Sequence, residues 1–224
     1  MTQDPDSQKS SVFIVDDHPL VRESLTALIN RQADLKVCGE ADNLVDALRL
    51  IGVAKPQVAI VDISLAGGSG IQLIKNIKAG FLEVEVLVLS VHDEELYRDR
   101  AFRAGARGYV TKREACRDVL QGVRCVLAGK AYVTEIDPTA TTADFVGMKT
   151  SATDSLVMTL SDRELEVFQL LGRGRSTGQI ADELRISFRT VQAFCARVKK
   201  KLNLSSASQL TREATNWHDR QNRK

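Results

Sequence analysis

Four short apolar runs in the first half of the chain each end in a polar residue, and this arrangement restricts the fold more than any other feature. Val12-Phe13-Ile14-Val15 leads into Asp16-Asp17, Val58-Ala59-Ile60-Val61 into Asp62, Val86-Leu87-Val88-Leu89 into Ser90, and Tyr109-Val110-Thr111 into Lys112. A further strand is expected over Leu35–Cys38. Helical patterns lie between the runs. Val21, Leu25, Leu28 and Ile29 share one face of the first, and others follow around Leu44–Ile51, Ile71–Ile77, Glu94–Ala104 and Ala115–Leu127. Five βα units in this order predict a doubly wound parallel sheet of five strands, flavodoxin-like, with helices on both faces.

In such a sheet ligands bind beyond the carboxyl ends of the strands. Three carboxylates, a hydroxyl and an ammonium gathered there suit a divalent cation and an aspartate that accepts a phosphoryl group. Phosphoryl transfer needs positioning and charge neutralisation more than covalent help. Mg²⁺ takes hard oxygen ligands and keeps several waters, so two or three carboxylates suffice. Asp17 and Asp62 are expected as direct ligands, Asp16 through a water, and the backbone carbonyl of Ser64 as a further oxygen. Asp62 is also the expected phosphoacceptor, with Lys112 pairing with one phosphoryl oxygen and Ser90 donating to another.

The second half differs in composition. The net charge of +2 conceals a split: residues 1–135 carry −2, residues 136–158 carry −2 and residues 159–224 carry +6. Basic character confined to one end points to a nucleic-acid partner there. Residues 134–157, rich in Thr, Ala, Ser and Asp, read as a linker with room for a short turn near Asp144–Val146. The domains are therefore expected at 11–133 and 158–219. Cys38, Cys116, Cys125 and Cys195 have no metal-binding spacing and read as reduced thiols. The polar N-terminus is unlike a secretory signal, and no apolar run approaches the ~20 residues needed to span a bilayer. A cytoplasmic protein with no membrane partner is the expectation.

The last third reads as four helices. Ser161 and Glu164 form a capping box at the start of the first, which Gly172 and Gly174 end. A short helix over Thr177–Leu184, a turn at Arg185-Ile186-Ser187, a longer helix to Leu202 and a last one over Ser206–Trp217 follow. The short helix, beginning at Thr177, would cross a DNA backbone while Phe188–Leu202 enters the major groove. Candidate contacts on that helix are Arg189, Thr190, Val191, Gln192, Arg197, Lys199, Lys200 and Lys201, although the heptad spacing of Val191, Val198 and Leu202 suits an inner face. Gln192 has the geometry for adenine; Arg197 and the lysines suit phosphates. The last helix, with Leu210, Ala214 and Trp217, serves either intradomain packing or pairing of two copies.

The runs VDDHPLVR, VDISLAGGSGI, LSVHD and AGARGYVTK resemble, in order, the acidic pair, phosphoacceptor, switch and lysine segments of two-component response-regulator receivers. The run LSDRELEVFQLLGRGRSTGQIADELRISFRTVQAFCARVKKKLNL resembles the LuxR-type helix-turn-helix domain. Together they resemble response regulators of the NarL/FixJ type. The resemblance implies phosphorylation of Asp62 by a sensor histidine kinase, a Ser90–Tyr109 switch, homodimers on double-stranded DNA and no enzymatic role beyond the switch. Two departures stand out. Leu65-Ala66 replaces a common Met-Pro, and Gln192 and Phe194 stand where the family often has lysine and histidine. Phe194 is read as core. A phosphatase or phosphotransferase would bring a second Asp two residues after the nucleophile, where Ser64 stands. A third reading is a regulator whose receiver no longer takes phosphate. His18 follows the acidic pair and either tunes it or lies at the loop edge, His92 is placed at the site entrance or in solvent, and His218 in the tail; the three are too dispersed to suggest a metal site. Gly67-Gly68-Ser69-Gly70 lacks the Lys-Ser/Thr of a P-loop and reads as a flexible turn.

Overall fold

The computed structural model describes residues 9–65, 68–90, 95–112, 115–133 and 156–221, and divides into two compact units, Met1–Ile136 and Asp137–Lys224. The first is built on parallel strands β1 (Ser10–Val15), β2 (Leu35–Ala41), β3 (Val58–Asp62), β4 (Glu85–Ser90), β5 (Gly108–Thr111) and β6 (Tyr132–Val133), in the order β2-β1-β3-β4-β5-β6. The helices between them are α1 (Pro19–Asn30), α2 (Leu44–Ala54), α3 (Gly70–Gly80), α4 (Glu95–Ala104) and α5 (Ala115–Leu127). The sheet thus has six strands where five were expected. Tyr132–Val133 pairs with β5 but is only two residues long, too short to show a period of its own. Strand β2 also runs on past Cys38 to Ala41.

Both faces of the sheet are buried. Val12, Ile14, Val58, Ile60, Leu87, Leu89 and Val110 form one core with Leu25 and Ile29 of α1 and Val119, Val123 and Val126 of α5. The alternate residues Phe13, Ala59, Val61, Val86 and Val88, also buried, point to the opposite face because side chains alternate along a strand. Full burial on both faces explains why these strands read as unbroken apolar runs. The chain order reverses between β1 and β3, so the acidic ends of these two strands lie side by side at the switch point.

The second unit contains α6 (Asp162–Gly172), α7 (Thr177–Glu183), α8 (Phe188–Lys201) and α9 (Ala207–Gln221). The expected capping box closes in both directions: the Ser161 N–H donates to Glu164 Oε2 at 2.7 Å and the Glu164 N–H to Ser161 Oγ at 3.4 Å. Ser176 and Gln179 form a second box on α7, and Ser187 caps α8. Gly174 (φ +78) supplies the left-handed turn after α6. The last helix continues beyond Trp217 to Gln221. Leu210, Ala214 and Trp217 are buried, and the Trp217 ring lies 6.0 Å from that of Phe168, so this face packs within the unit. Asp144–Val146, Ala66 and His92 lie outside the described residues. Among the described residues, no helix is long and apolar enough to cross a membrane.

Candidate functional site

Asp16 and Asp17 follow β1 directly, Asp62 ends β3, Ser90 ends β4 and Lys112 follows β5. The parallel register carries all of them to the same end of the sheet. Asp16 and Asp62 are each 1% exposed and Asp17 is 9% exposed. Ligand atoms of Asp16, Asp17, His18 and Asp62 all lie within 4.8 Å of one another. Lys112 Nζ reaches across to Asp16 Oδ2 at 2.6 Å and to Asp62 Oδ2 at 2.8 Å. The Ser64 N–H donates to Asp62 Oδ1 at 3.1 Å, which places the loop after β3 against the carboxylate. Ser90 is fully buried, its carbonyl accepts the Lys112 N–H at 2.7 Å, and Tyr109 is buried on the neighbouring strand.

Asp16 and Asp62 share the Lys112 ammonium, and Asp17 stands beside them against His18. Burial, reinforced by the charge of Asp16, pushes the Asp62 carboxyl above the ordinary aspartate range even though Lys112 pulls the other way. Burial works against the charge on Lys112, but Asp62 and Asp16 outweigh it and hold the ammonium above its usual value. A hard, oxygen-rich cluster of three carboxylates at the sheet end fits a divalent cation such as Mg²⁺.

Two further residues stand against this site. His18 is at a loop edge, half exposed, yet its Nδ1 lies 2.8 Å from Asp17 Oδ1 and 3.2 Å from Asp16 Oδ1. Its place directly after the acidic pair brings it to both aspartates, the tuning position the sequence left open. Gly70, expected within a flexible turn, is buried at the start of α3, with its N–H donating to the Ile63 carbonyl at 2.8 Å. A Cβ there would collide with the Asp62 carbonyl oxygen and lie 2.6 Å from Ile63 Cα. Only glycine lets α3 start against the backbone of Asp62.

In the second unit Arg189, Gln192 and Lys200 are exposed along α8, and Thr177, Gln192 and Lys199 line a cleft of about 300 Å³ between α7, α8 and α9. Val191 is fully buried, so its side chain belongs to the core and is withdrawn from the candidate contacts. Thr190 bonds to the Ser187 cap, Oγ1 to Oγ at 2.7 Å. The Lys201 Nζ donates to Glu164 Oε2 at 2.6 Å and to the Thr159 carbonyl at 3.1 Å. Phe194 is half-buried rather than core, with the Arg197 guanidinium carbon 4.5 Å from its ring centroid.

Residues 12–124 match the response regulator receiver domain, and residues 158–214 match the luxR family of bacterial regulatory proteins. The oxygen regulatory protein NreC of Staphylococcus carnosus is 33% identical over 210 residues, covering 91% of this chain and 95% of that protein. This chain belongs to the two-component response regulators with a LuxR-type DNA-binding domain. A crystal structure of a LuxR-family response regulator from Aurantimonas sp. is 32% identical, covers 58% of this chain and 91% of that one, and superposes with a TM-score of 0.54. RcsB of Salmonella enterica, solved on promoter rprA with the phosphomimetic BeF3-, covers 92% of this chain and 98% of its own at a TM-score of 0.58; at 23% identity it shows the shared fold. Response regulators of this kind regulate transcription through the DNA-binding domain.

Proposed function

We propose that this response regulator takes a phosphoryl group on Asp62 from a sensor histidine kinase and thereby controls DNA binding by its second unit. The observation that carries the reading is the position of Asp62: buried at the switch point, within 4.8 Å of two further carboxylates, with an ammonium 2.8 Å away. An Asp62 carboxylate oxygen attacks phosphorus, the bond to the donor breaks, and an acyl phosphate forms. Asp17 and Asp62 directly, Asp16 through a water and the Ser64 carbonyl would hold Mg²⁺, which neutralises charge on the phosphoryl oxygens. Lys112 would leave its carboxylate partners to pair with a phosphoryl oxygen, and the Ser90 hydroxyl would donate to another. That move, with Tyr109 repacking beside it, supplies a local charge and packing change of the kind that biases a two-state element.

The functional domains under this reading are 11–133 and 158–219, with 134–157 as linker. Arg189, Gln192, Lys199 and Lys200 on α8, with Thr177 on α7, would meet double-stranded DNA, Arg197 standing beside them in its pair with Glu164, and two copies would read paired half-sites. Such a protein works in the cytoplasm. An enzymatic role finds no support at Ser64, which stands where a phosphatase of this chemistry needs its second aspartate. Intact-mass analysis after incubation with a small phosphodonor and Mg²⁺ tests the reading. One phosphoryl adduct on the wild type, absent from Asp62→Asn and absent without Mg²⁺, is expected. An adduct that persists in Asp62→Asn, or none on a folded wild type, overturns it.

A further inference from the structure

Glu164 sits where three cationic or donor groups converge. Its side chain is 4% exposed; Oε2 accepts from the Ser161 N–H at 2.7 Å and from Lys201 Nζ at 2.6 Å, and Oε1 lies 3.4 Å from Arg197 Nε. Burial acts to raise the carboxyl, but the hydrogen bonds from Lys201 and Ser161 outweigh it and hold it ionised below the usual glutamate range. Lys201 and Arg197 are themselves 38% and 54% exposed, so both remain within reach of an approaching polyanion. Arg197 has a second tether, the Phe194 ring at 4.5 Å. The capping box alone asks only for an acceptor at this position, which glutamine also provides. The negative charge is therefore surplus to the cap, and it faces the two cations of the recognition helix.

We propose that Glu164 is a positioning residue that withholds Arg197 and Lys201 from DNA phosphates, limiting the sequence-independent part of DNA affinity. The proposal rests on the DNA-binding reading of the second unit. Each phosphate neutralised on a duplex contributes about −0.9 to the slope of log K against log salt concentration. With both cations paired to Glu164, they add little to that slope; released, they add up to ~1.8. A weaker non-specific term leaves more of the discrimination to base-edge contacts such as Gln192.

The test uses the full chain and two duplexes of equal length, one selected by the protein from a random pool and one unrelated, with affinity measured across salt concentrations. Glu164→Gln keeps the cap acceptor and removes the charge. The expected result is a slope on the unrelated duplex steeper by roughly 1 to 1.8, with a smaller ratio of selected to unrelated affinity. Lys201→Gln alone should leave the wild-type slope unchanged, yet make the Glu164→Gln slope shallower by ~0.9. A merely structural role would not produce this pattern. An unchanged slope in Glu164→Gln overturns the proposal. So does a slope shallower by ~0.9 in Lys201→Gln alone, a result obtainable even if Glu164→Gln does not fold. Wild type treated with phosphodonor and Mg²⁺ that binds neither duplex at low salt overturns the DNA-binding reading itself, and the proposal with it.

Discussion

Replacing Lys112 with glutamine should unbalance the acidic site of the receiver in a way that a divalent cation repairs. Lys112 Nζ lies 2.6 Å from Asp16 Oδ2 and 2.8 Å from Asp62 Oδ2; the lysine side chain is 14% exposed and each carboxylate 1%. Removing one partner of a buried pair costs about 3–5 kcal/mol, because the other charge is left uncompensated. Two pairs are broken here, but the cost does not double. Both pairs share the one ammonium, so the loss should stay near the lower end of that range, roughly 3 kcal/mol. For a unit of this size that is a fall of ~10 °C in Tm. The chain supplies its own control. Its one tryptophan, Trp217, is in the second unit, so tryptophan fluorescence follows that unit while far-UV circular dichroism follows both. The dichroism transition of the first unit should move and the fluorescence transition should not. Mg²⁺ at about a hundred times its Kd stabilises a binding-competent fold by ~2.7 kcal/mol, and the variant, with Asp16 and Asp62 no longer sharing a lysine, should bind it tighter and recover more. A fall below ~2 °C, or an equal Mg²⁺ effect on both proteins, would refute the charge argument.

Gly70→Ala should lower the stability of the first unit by roughly 1–3 kcal/mol through overpacking and weaken Mg²⁺ binding measured by calorimetry, since the added methyl meets the Asp62 carbonyl. Unaltered Mg²⁺ affinity would show that the start of α3 does not set the geometry at Asp62. Ser161→Ala should shift the Trp217 fluorescence transition by about 1 kcal/mol, the usual worth of a helix N-cap; no shift would mean that the box is idle. Asp62→Asn should change how stability depends on pH. Burial raises the folded value of Asp62 above its unfolded value, so between the two the folded chain binds more protons. Its contribution is full below the unfolded value near ~4 and is lost as pH rises through the folded value. Without Mg²⁺, the Tm of Asp62→Asn should therefore gain on wild type as pH climbs from 4 to 7; a constant difference in thermal melts would contradict this.

The acidic site was legible in the sequence because a parallel sheet brings strand ends together whatever the loops do. Asp16, Asp17, Asp62, Ser90 and Lys112 needed only their place after an apolar run to be grouped. The chemistry of Gly70 was not legible, since its need for a missing Cβ arises from how closely α3 approaches the Asp62 backbone. The second unit shows the same division. Capping residues act over three positions, so Ser161 and Glu164 declared their box in the sequence. The pairing of Glu164 with Lys201 spans 37 positions and depends on how α6 and α8 pack. A basic residue on a recognition helix reads alike whether it faces phosphate or a carboxylate of its own domain. Val191 could be placed only by weighing its heptad spacing against its neighbours, and its burial decides for the core.

The measurement that bears most directly on the account is DNA affinity of the full chain before and after phosphodonor treatment with Mg²⁺, with adduct mass followed in the same samples and Asp62→Asn alongside. The account predicts tighter binding of a selected duplex by the phosphorylated wild type, within the roughly 5- to 150-fold range of ordinary coupling between sites, and no change in the variant. Equal affinity for a wild type that carries the adduct and one that does not would contradict it.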